Sequence, residues 1–417
     1  MDKKKLILPL VITSLVLAIT AGVLFFVYQD KQKEVVEEPE SKETTVISSG
    51  SFEIDLFRQS FVDSAGDNIV ISPFSVKVAM AMATEGAGGY TLEELQDVLQ
   101  IDENSKEGFK SIVEDIYQQK DVIFNIANSI WSRKGYVFKQ TYLDTLTNYY
   151  QAEARELDFS DSEGSKEIIN GWVERKTEGK IDSIVDRIDP SHIAFLINAI
   201  YFNADWKQQF EELLTNEDEF TLLDGTKVNT SMMNMSHTIK YLEKDEFQAI
   251  ELPYGEDGRF LMRVFLPKEE KDFDTFVSEL RSNTLNEWNA EFQFKKVSLS
   301  LPKFKIEWEG SLKEILEKLG IKDAFGGGVA DFGEMVPTSN KEVYIGDVKH
   351  KTFIDVSERG TEAAAVTSVE MFTTSLPTES EEIFEMNVNR PFFFTIEDTK
   401  NNLYLFMGTI FDPRPTM

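Results

Sequence analysis

The chain holds only three histidines, His192, His237 and His350, and no cysteine. Thiol catalysis, disulfides, iron–sulfur clusters and Cys-ligated zinc are excluded, and three imidazoles are too few for most histidine-based metal sites or triads. No G-x-S-x-G elbow and no H-E-x-x-H helix occurs, so the usual hydrolase and metalloprotease signatures are missing. Gly326-Gly327-Gly328 is not followed by the Lys-Ser/Thr of a phosphate loop and reads as a turn. The pairs Glu93-Glu94 and Glu381-Glu382 lack calcium-loop spacing and read as solvated faces. No metal, no cofactor and no catalytic residue is expected.

The chemistry that is present is mechanical. After Gly360 the odd positions are Thr361, Ala363, Ala365, Thr367 and Val369, and the even ones are Glu362, Ala364, Val366 and Ser368. In a strand these two sets face opposite sides. One side is entirely small or β-branched and uncharged. The other carries a carboxylate and a hydroxyl. Such a segment can be a solvated surface loop. It could also slide between two strands without burying a charge or overpacking a core.

The rest of the chain must position that segment. It has 417 residues, 41% hydrophobic and 12% aromatic, enough for a large core. A net charge of −30 argues against nucleic-acid binding, which needs basic stripes. Lys3, Lys4 and Lys5 precede an uncharged run from Leu6 to Tyr28, long enough to span a bilayer as a helix. Residues 1–28 therefore read as a membrane anchor or a signal segment, and the remainder as exported, either tethered to the cell surface or secreted. Residues 29–50 are rich in charge, Ser and Thr and read as a flexible tether. Residues 51–417 show no linker or repeat and read as one domain.

Within that domain, three- and four-residue apolar spacing predicts helices at 91–100, 110–119, 165–180 (stopped near Gly179) and 311–320 (ended by Gly320). The continuous apolar run 194–202 predicts a strand buried on both faces. FFFTIED–TKNN–LYLFMGTIF predicts a hairpin. Helices come early and strands late, so the expected class is α+β with large, mainly antiparallel sheets.

Ten segments in order give the chain a family likeness: NIVISPFSV (68–76), ANSIW (127–131), INGWVERKTEGKI (169–181), LINAIYFNADWKQQF (196–210), ELPY (251–254), LPKFKIE (301–307), LKEILEKLGI (312–321), ADFGEM (330–335), HKTFIDV (350–356) and RPFFF (390–394). With the run Glu358-Arg-Gly-Thr-Glu-Ala-Ala-Ala-Val-Thr367 they resemble the serpins, of inhibitory and prokaryotic type. The resemblance implies a large, mainly antiparallel central sheet, two further sheets, about nine helices and an exposed reactive-centre loop at about 358–389. It implies a metastable fold whose loop, once cleaved by a protease, inserts into the central sheet as a new strand.

Three residue sets follow from the resemblance. Glu358, Gly360, Thr361, Glu362, Ala363, Ala364, Ala365, Val366 and Thr367 match the hinge. Ser72, Ser75, Asn198 and His350 match a shutter where the sheet opens, although His350 alone would read as an ordinary core histidine. Trp206, Lys303 and Glu358 match the breach where the loop enters. The family's count puts the scissile bond at Thr374-Ser375. Met371-Phe372 and Phe372-Thr373 are alternatives, since the distal loop is longer than in many relatives.

The implied partner is a serine protease, held as a covalent acyl-enzyme by a monomeric inhibitor. A cysteine protease is left open. Gly360 to Asn389 contains no Lys or Arg, so trypsin-like enzymes fit poorly and elastase-like or subtilisin-like ones fit better. Phe372 at the bond would favour chymotrypsin-like enzymes. Glu379, Glu381, Glu382 and Glu385 form either a solvated stretch or a contact for a basic protease. The rival function is a non-inhibitory carrier on the same fold, which often has bulky, charged or Pro residues in the hinge.

Overall fold

Helices dominate residues 51–180 of the computed structural model: α1 (Ser51–Asp63), α2 (Pro73–Thr84), α3 (Gly89–Leu99), α4 (Ser105–Tyr117), α5 (Gln140–Thr145) and α6 (Ser162–Lys176). Strands β1 (Ile69–Ile71), β2 (Val122–Arg133) and β3 (Glu153–Leu157) lie among them. The second part comprises β4 (Ala194–Asp205), β5 (Asn216–Thr221), β6 (Lys227–Glu243), β7 (Phe247–Pro253), β8 (Phe260–Pro267), β9 (Gln293–Pro302), β10 (Phe304–Ser311), β11 (Ile345–Ser357), β12 (Gly360–Thr361), β13 (Ile383–Asn387), β14 (Phe392–Asp398) and β15 (Leu403–Ile410). Helices α7 (Phe273–Ser278), α8 (Ser282–Glu291) and α9 (Lys313–Leu319) interrupt these strands. The structure describes residues 47–64, 66–189, 192–337, 343–361 and 382–415. The expected anchor (1–28), most of the tether, hinge residues Glu362–Thr367 and the bond residues Met371–Ser375 lie outside them. Among the described residues no helix is long and apolar enough to cross a membrane.

The predicted helices and the hairpin β14–β15 are present, and the α+β class holds. Ile47–Gly50 differs from the tether reading. Ile47 is buried, Ser49 N donates to Asn402 O at 2.9 Å, and Gly50 N donates to Glu53 Oε2 at 2.7 Å. One apolar side chain and satisfied backbone groups dock this stretch despite its polar composition.

Helix α2 is apolar almost all round and every residue in it is buried, as expected for a central helix. Ser72 caps its amino end, accepting from Ser75 N at 3.3 Å, and Pro73 occupies the first turn, where its missing N–H costs nothing. Beside α2 lies a six-stranded sheet in the order β10-β11-β12-β4-β2-β3. Strand β4 alternates between two cores. Leu196, Ile200 and Phe202 join the main core with α2, whereas Phe195, Ile197, Ala199 and Tyr201 pack with Trp131, Trp172 and Val173 on the α6 side. Both faces of β4 are covered, which explains its uninterrupted apolar run.

The other nine strands form one hydrogen-bonded sheet. The two further sheets expected are joined because β6, at 17 residues, is long enough to pair with β5 at one end and β7 at the other.

Strands β10 and β11 are tied by a buried cation. Lys351 Nζ meets Glu307 at 2.5 Å and Glu309 at 3.0 Å, both carboxylates on β10. Burial works against the charge, but these two partners outweigh it and hold the ammonium above its ordinary pKa.

Candidate functional site

The seam between β4 and β11 brings the sequence-predicted residues together. The two strands pair in parallel from Ile345↔Ala194 to Phe353↔Tyr201, with an irregularity between Ile345 and Asp347. Beyond Ser357 the chain turns through Glu358 and Arg359 and reverses. Gly360 and Thr361 then enter the seam as β12, pairing antiparallel with Val356 and Ser357 on one side and with Ala204 and Asp205 on the other. The segment thus begins a strand between two strands that otherwise pair directly. Gly360 is required by close approach: a Cβ there would sit 2.1 Å from Ala204 O.

Two polar side chains, His350 and Asn198, bridge the middle of the seam to the start of α2. His350 and Asn198 face each other in the β4–β11 register. His350 Nε2 accepts from Ser72 N at 3.0 Å. Asn198 Nδ2 donates to Ser75 O at 3.1 Å, to Ser75 Oγ at 2.5 Å and to Asn128 Oδ1 at 2.6 Å. All five residues are buried. Asn128 was not singled out in the sequence. It stands opposite Asn198 in the β2–β4 pairing, a register that the ANSIW motif alone does not reveal.

Burial drives the His350 imidazole down to about 3, against an opposing pull from the Asn198 backbone. The histidine is therefore neutral when folded, whereas an unfolded imidazole titrates near 6.5. Between these values the unfolded state binds a proton that the folded state refuses. His350 thus contributes stability that is complete above pH 6.5 and declines toward pH 3, by about 1.4 kcal/mol per unit. In denaturant unfolding at pH 7.5 and pH 5, the intact chain should lose about 2 kcal/mol more than His350→Gln. Equal losses would contradict a buried neutral imidazole.

A second cluster guards the entry of β12. Trp206 Nε1 donates to Ser357 O at 2.9 Å, and Trp206 N donates to Arg359 O at 2.7 Å. The Trp206 ring stacks on Tyr254 with centroids 4.3 Å apart. Glu358 accepts from Lys303 Nζ at 2.8 Å and from Thr215 Oγ1 at 2.8 Å. Burial raises the Glu358 carboxyl, but its hydrogen bonds, led by that from Lys303, prevail and hold it below the ordinary glutamate range. The Lys303 side chain is 40% exposed, so the ion pair contributes only about 0–1 kcal/mol. Backbone and indole contacts fix the turn more firmly than the charge pair does.

Tyr254 and Thr215 were also unassigned in the sequence. Their roles depend on contacts with residues 107 and 143 positions away. Among the described residues, no group of three or more His, Cys, Asp or Glu could hold a metal ion.

Comparisons with known proteins bear on the chain's family and fold. The family model described as "Serpin (serine protease inhibitor)" matches residues 48–413. An uncharacterised serpin-like protein of Thermococcus kodakarensis is 34% identical over 90% of this chain and 87% of its own. Human serpin B11 is 34% identical over 87% and 97%. Among solved structures, the thermophilic serpin tengpin in its native state superposes with a TM-score of 0.81 at 32% identity, covering 90% of this chain and 96% of tengpin. Human thyroxine-binding globulin, solved in complex with thyroxine, superposes with a TM-score of 0.80 at 26% identity, covering 88% and 97%.

Proposed function

Because the chain belongs to the serpin family, we propose that it is a single-use trap for serine proteases, exported and either secreted or held at the cell surface by its first 28 residues. The carrying observation is β12, two residues of the loop base already seated between β4 and β11 and paired on both sides.

The chain supplies a bait and a receiving seam. The protease's serine Oγ attacks the carbonyl carbon of the bait residue, Thr374 in the leading count. The amide bond to Ser375 breaks, its nitrogen takes a proton and leaves, and an acyl ester remains. The segment beginning at Gly360 is then free to extend β12 along the seam, parting β4 from β11. The Asn198–Ser75 and His350–Ser72 bonds lie across the parting strands and α2, so they must rearrange as the new strand passes. The esterified protease is carried with the strand, and trapping succeeds when insertion outruns hydrolysis of the ester.

Small uncharged residues at Thr361, Ala363 and Ala365 support insertion over the carrier function exemplified by thyroxine-binding globulin. The absence of Lys and Arg from 360–389 supports elastase-like or subtilisin-like targets. Incubation with subtilisin or pancreatic elastase should give a complex that survives SDS, and trypsin should give none. The released peptide should begin at Ser375. A peptide beginning at Phe372 or Thr373 would move the bond to one of the alternatives. Cleavage without any stable complex would instead favour the carrier function.

A further inference from the structure

Tyr254 ends the ELPY motif and has no part in the trapping chemistry described above. Its side chain is wholly buried. The ring is held on two sides, stacked on Trp206 and edge-on to Phe202 at 5.2 Å. Its backbone pairs with Trp206, and its N–H donates to Phe260 O at 2.8 Å. Phenylalanine would pack equally well here. The hydroxyl is the part that packing does not require, and burying it needs a hydrogen-bond partner. That partner is Thr361 Oγ1, at 2.7 Å. Thr361 is itself fully buried and is the last described residue before the bait.

We infer that Tyr254 is a positioning residue for loop insertion: its hydroxyl engages the hydroxyl of residue 361 and fixes the register in which the new strand starts. This rests on the trapping function proposed above. Register matters because strand side chains alternate, so a one-residue slip turns each of them to the opposite face. In the observed register Thr361 pairs with Ala204 and Val356 and points at Tyr254. Slipped by one, Glu362 would bring a carboxylate to the buried phenol. The next hydroxyl that could replace Thr361 is six residues on, at Thr367. A single hydrogen bond at the mouth thus discriminates against neighbouring registers before insertion begins. It costs no time after cleavage, because it is already made in the intact molecule.

The test uses the full chain and four variants: Tyr254→Phe, Thr361→Val, Thr361→Ser and the Tyr254→Phe/Thr361→Val pair. Deuterium exchange of the Gly360 and Thr361 amides in the intact protein needs no protease. Tyr254→Phe and Thr361→Val should each speed it about five- to tenfold. Thr361→Ser should match the parent, and the double variant should be no faster than either single one. With subtilisin as probe, the number of inhibitor molecules consumed per protease trapped should rise several-fold in Tyr254→Phe. The association rate should stay unchanged, since the bait bond is untouched.

Unchanged exchange and unchanged stoichiometry in Tyr254→Phe would overturn the positioning role. So would additive effects in the double variant, which would mean the two hydroxyls act separately. If the parent traps neither subtilisin nor elastase, the trapping function fails by itself, and the exchange measurement still decides whether Tyr254 holds residue 361.

Discussion

A single cut at the bait, between Met371 and Ser375, should raise the melting temperature of the chain by roughly 13 °C or more. In the intact structure β4 and β11 share one ladder of eight register pairs. An inserted strand replaces that ladder with two, a net gain of one. At about 1 kcal/mol per hydrogen bond, plus the apolar area of Ala363, Ala365 and Val369, the gain is on the order of 10 kcal/mol or more. Unfolding entropy of about 2.1 cal/mol/K per residue over about 370 residues converts each kcal/mol into about 1.3 °C. A calorimetric scan of intact and nicked protein at one scan rate reads the difference. On the proposed trapping function, the uncut form would persist through a barrier to insertion without being the lowest state. A nicked form that melts with the intact one would mean that the segment stays out of the seam.

If the chain traps proteases as proposed, Thr361→Arg should make it a substrate instead. Thr361 is fully buried, its hydroxyl bonded to Tyr254. The neighbours of Thr361 named above, Ala204, Val356 and Tyr254, carry no charge to pair with a guanidinium, and an unpaired buried charge costs about 3–5 kcal/mol. That corresponds to roughly 10²- to 4 × 10³-fold in the partition between insertion and ester hydrolysis. The variant should fold, because the arginine can leave the seam and take β12 into solvent with it. Subtilisin should cut it at the parent's rate yet emerge active, with at least about 100 inhibitor molecules consumed per protease trapped. A stoichiometry near that of the parent would refute entry of residue 361 into the buried side of the sheet.

Much of this was legible in the sequence, and the reasons are particular. The alternation after Gly360 has period two, so its uncharged face could be read without knowing what it would meet. The apolar run at 194–202 announced a strand covered on both faces, and Trp172 with its neighbours on α6 supplies the second cover. Family motifs brought Ser72, Ser75, Asn198, His350, Trp206, Lys303 and Glu358 forward, and the fold gathers them along one seam. Asn128, Thr215 and Tyr254 stayed hidden because their importance is a matter of cross-strand register and distant contacts. Ile47–Gly50 misled for the opposite reason: composition dominated, while one isoleucine and a few backbone groups decided the packing.

The buried Lys351 between Glu307 and Glu309 bears on how the sheet can deform. It rivets β11 to its outer neighbour, while the inner flank of β11 is a parallel ladder with a fault near Ile345. If a segment inserts as proposed, the β4–β11 flank, which lacks such a buried ion pair among the described residues, is the one that would part. The outer pair would then move as one plate, and the incoming segment would meet an edge whose far side need not be rebuilt.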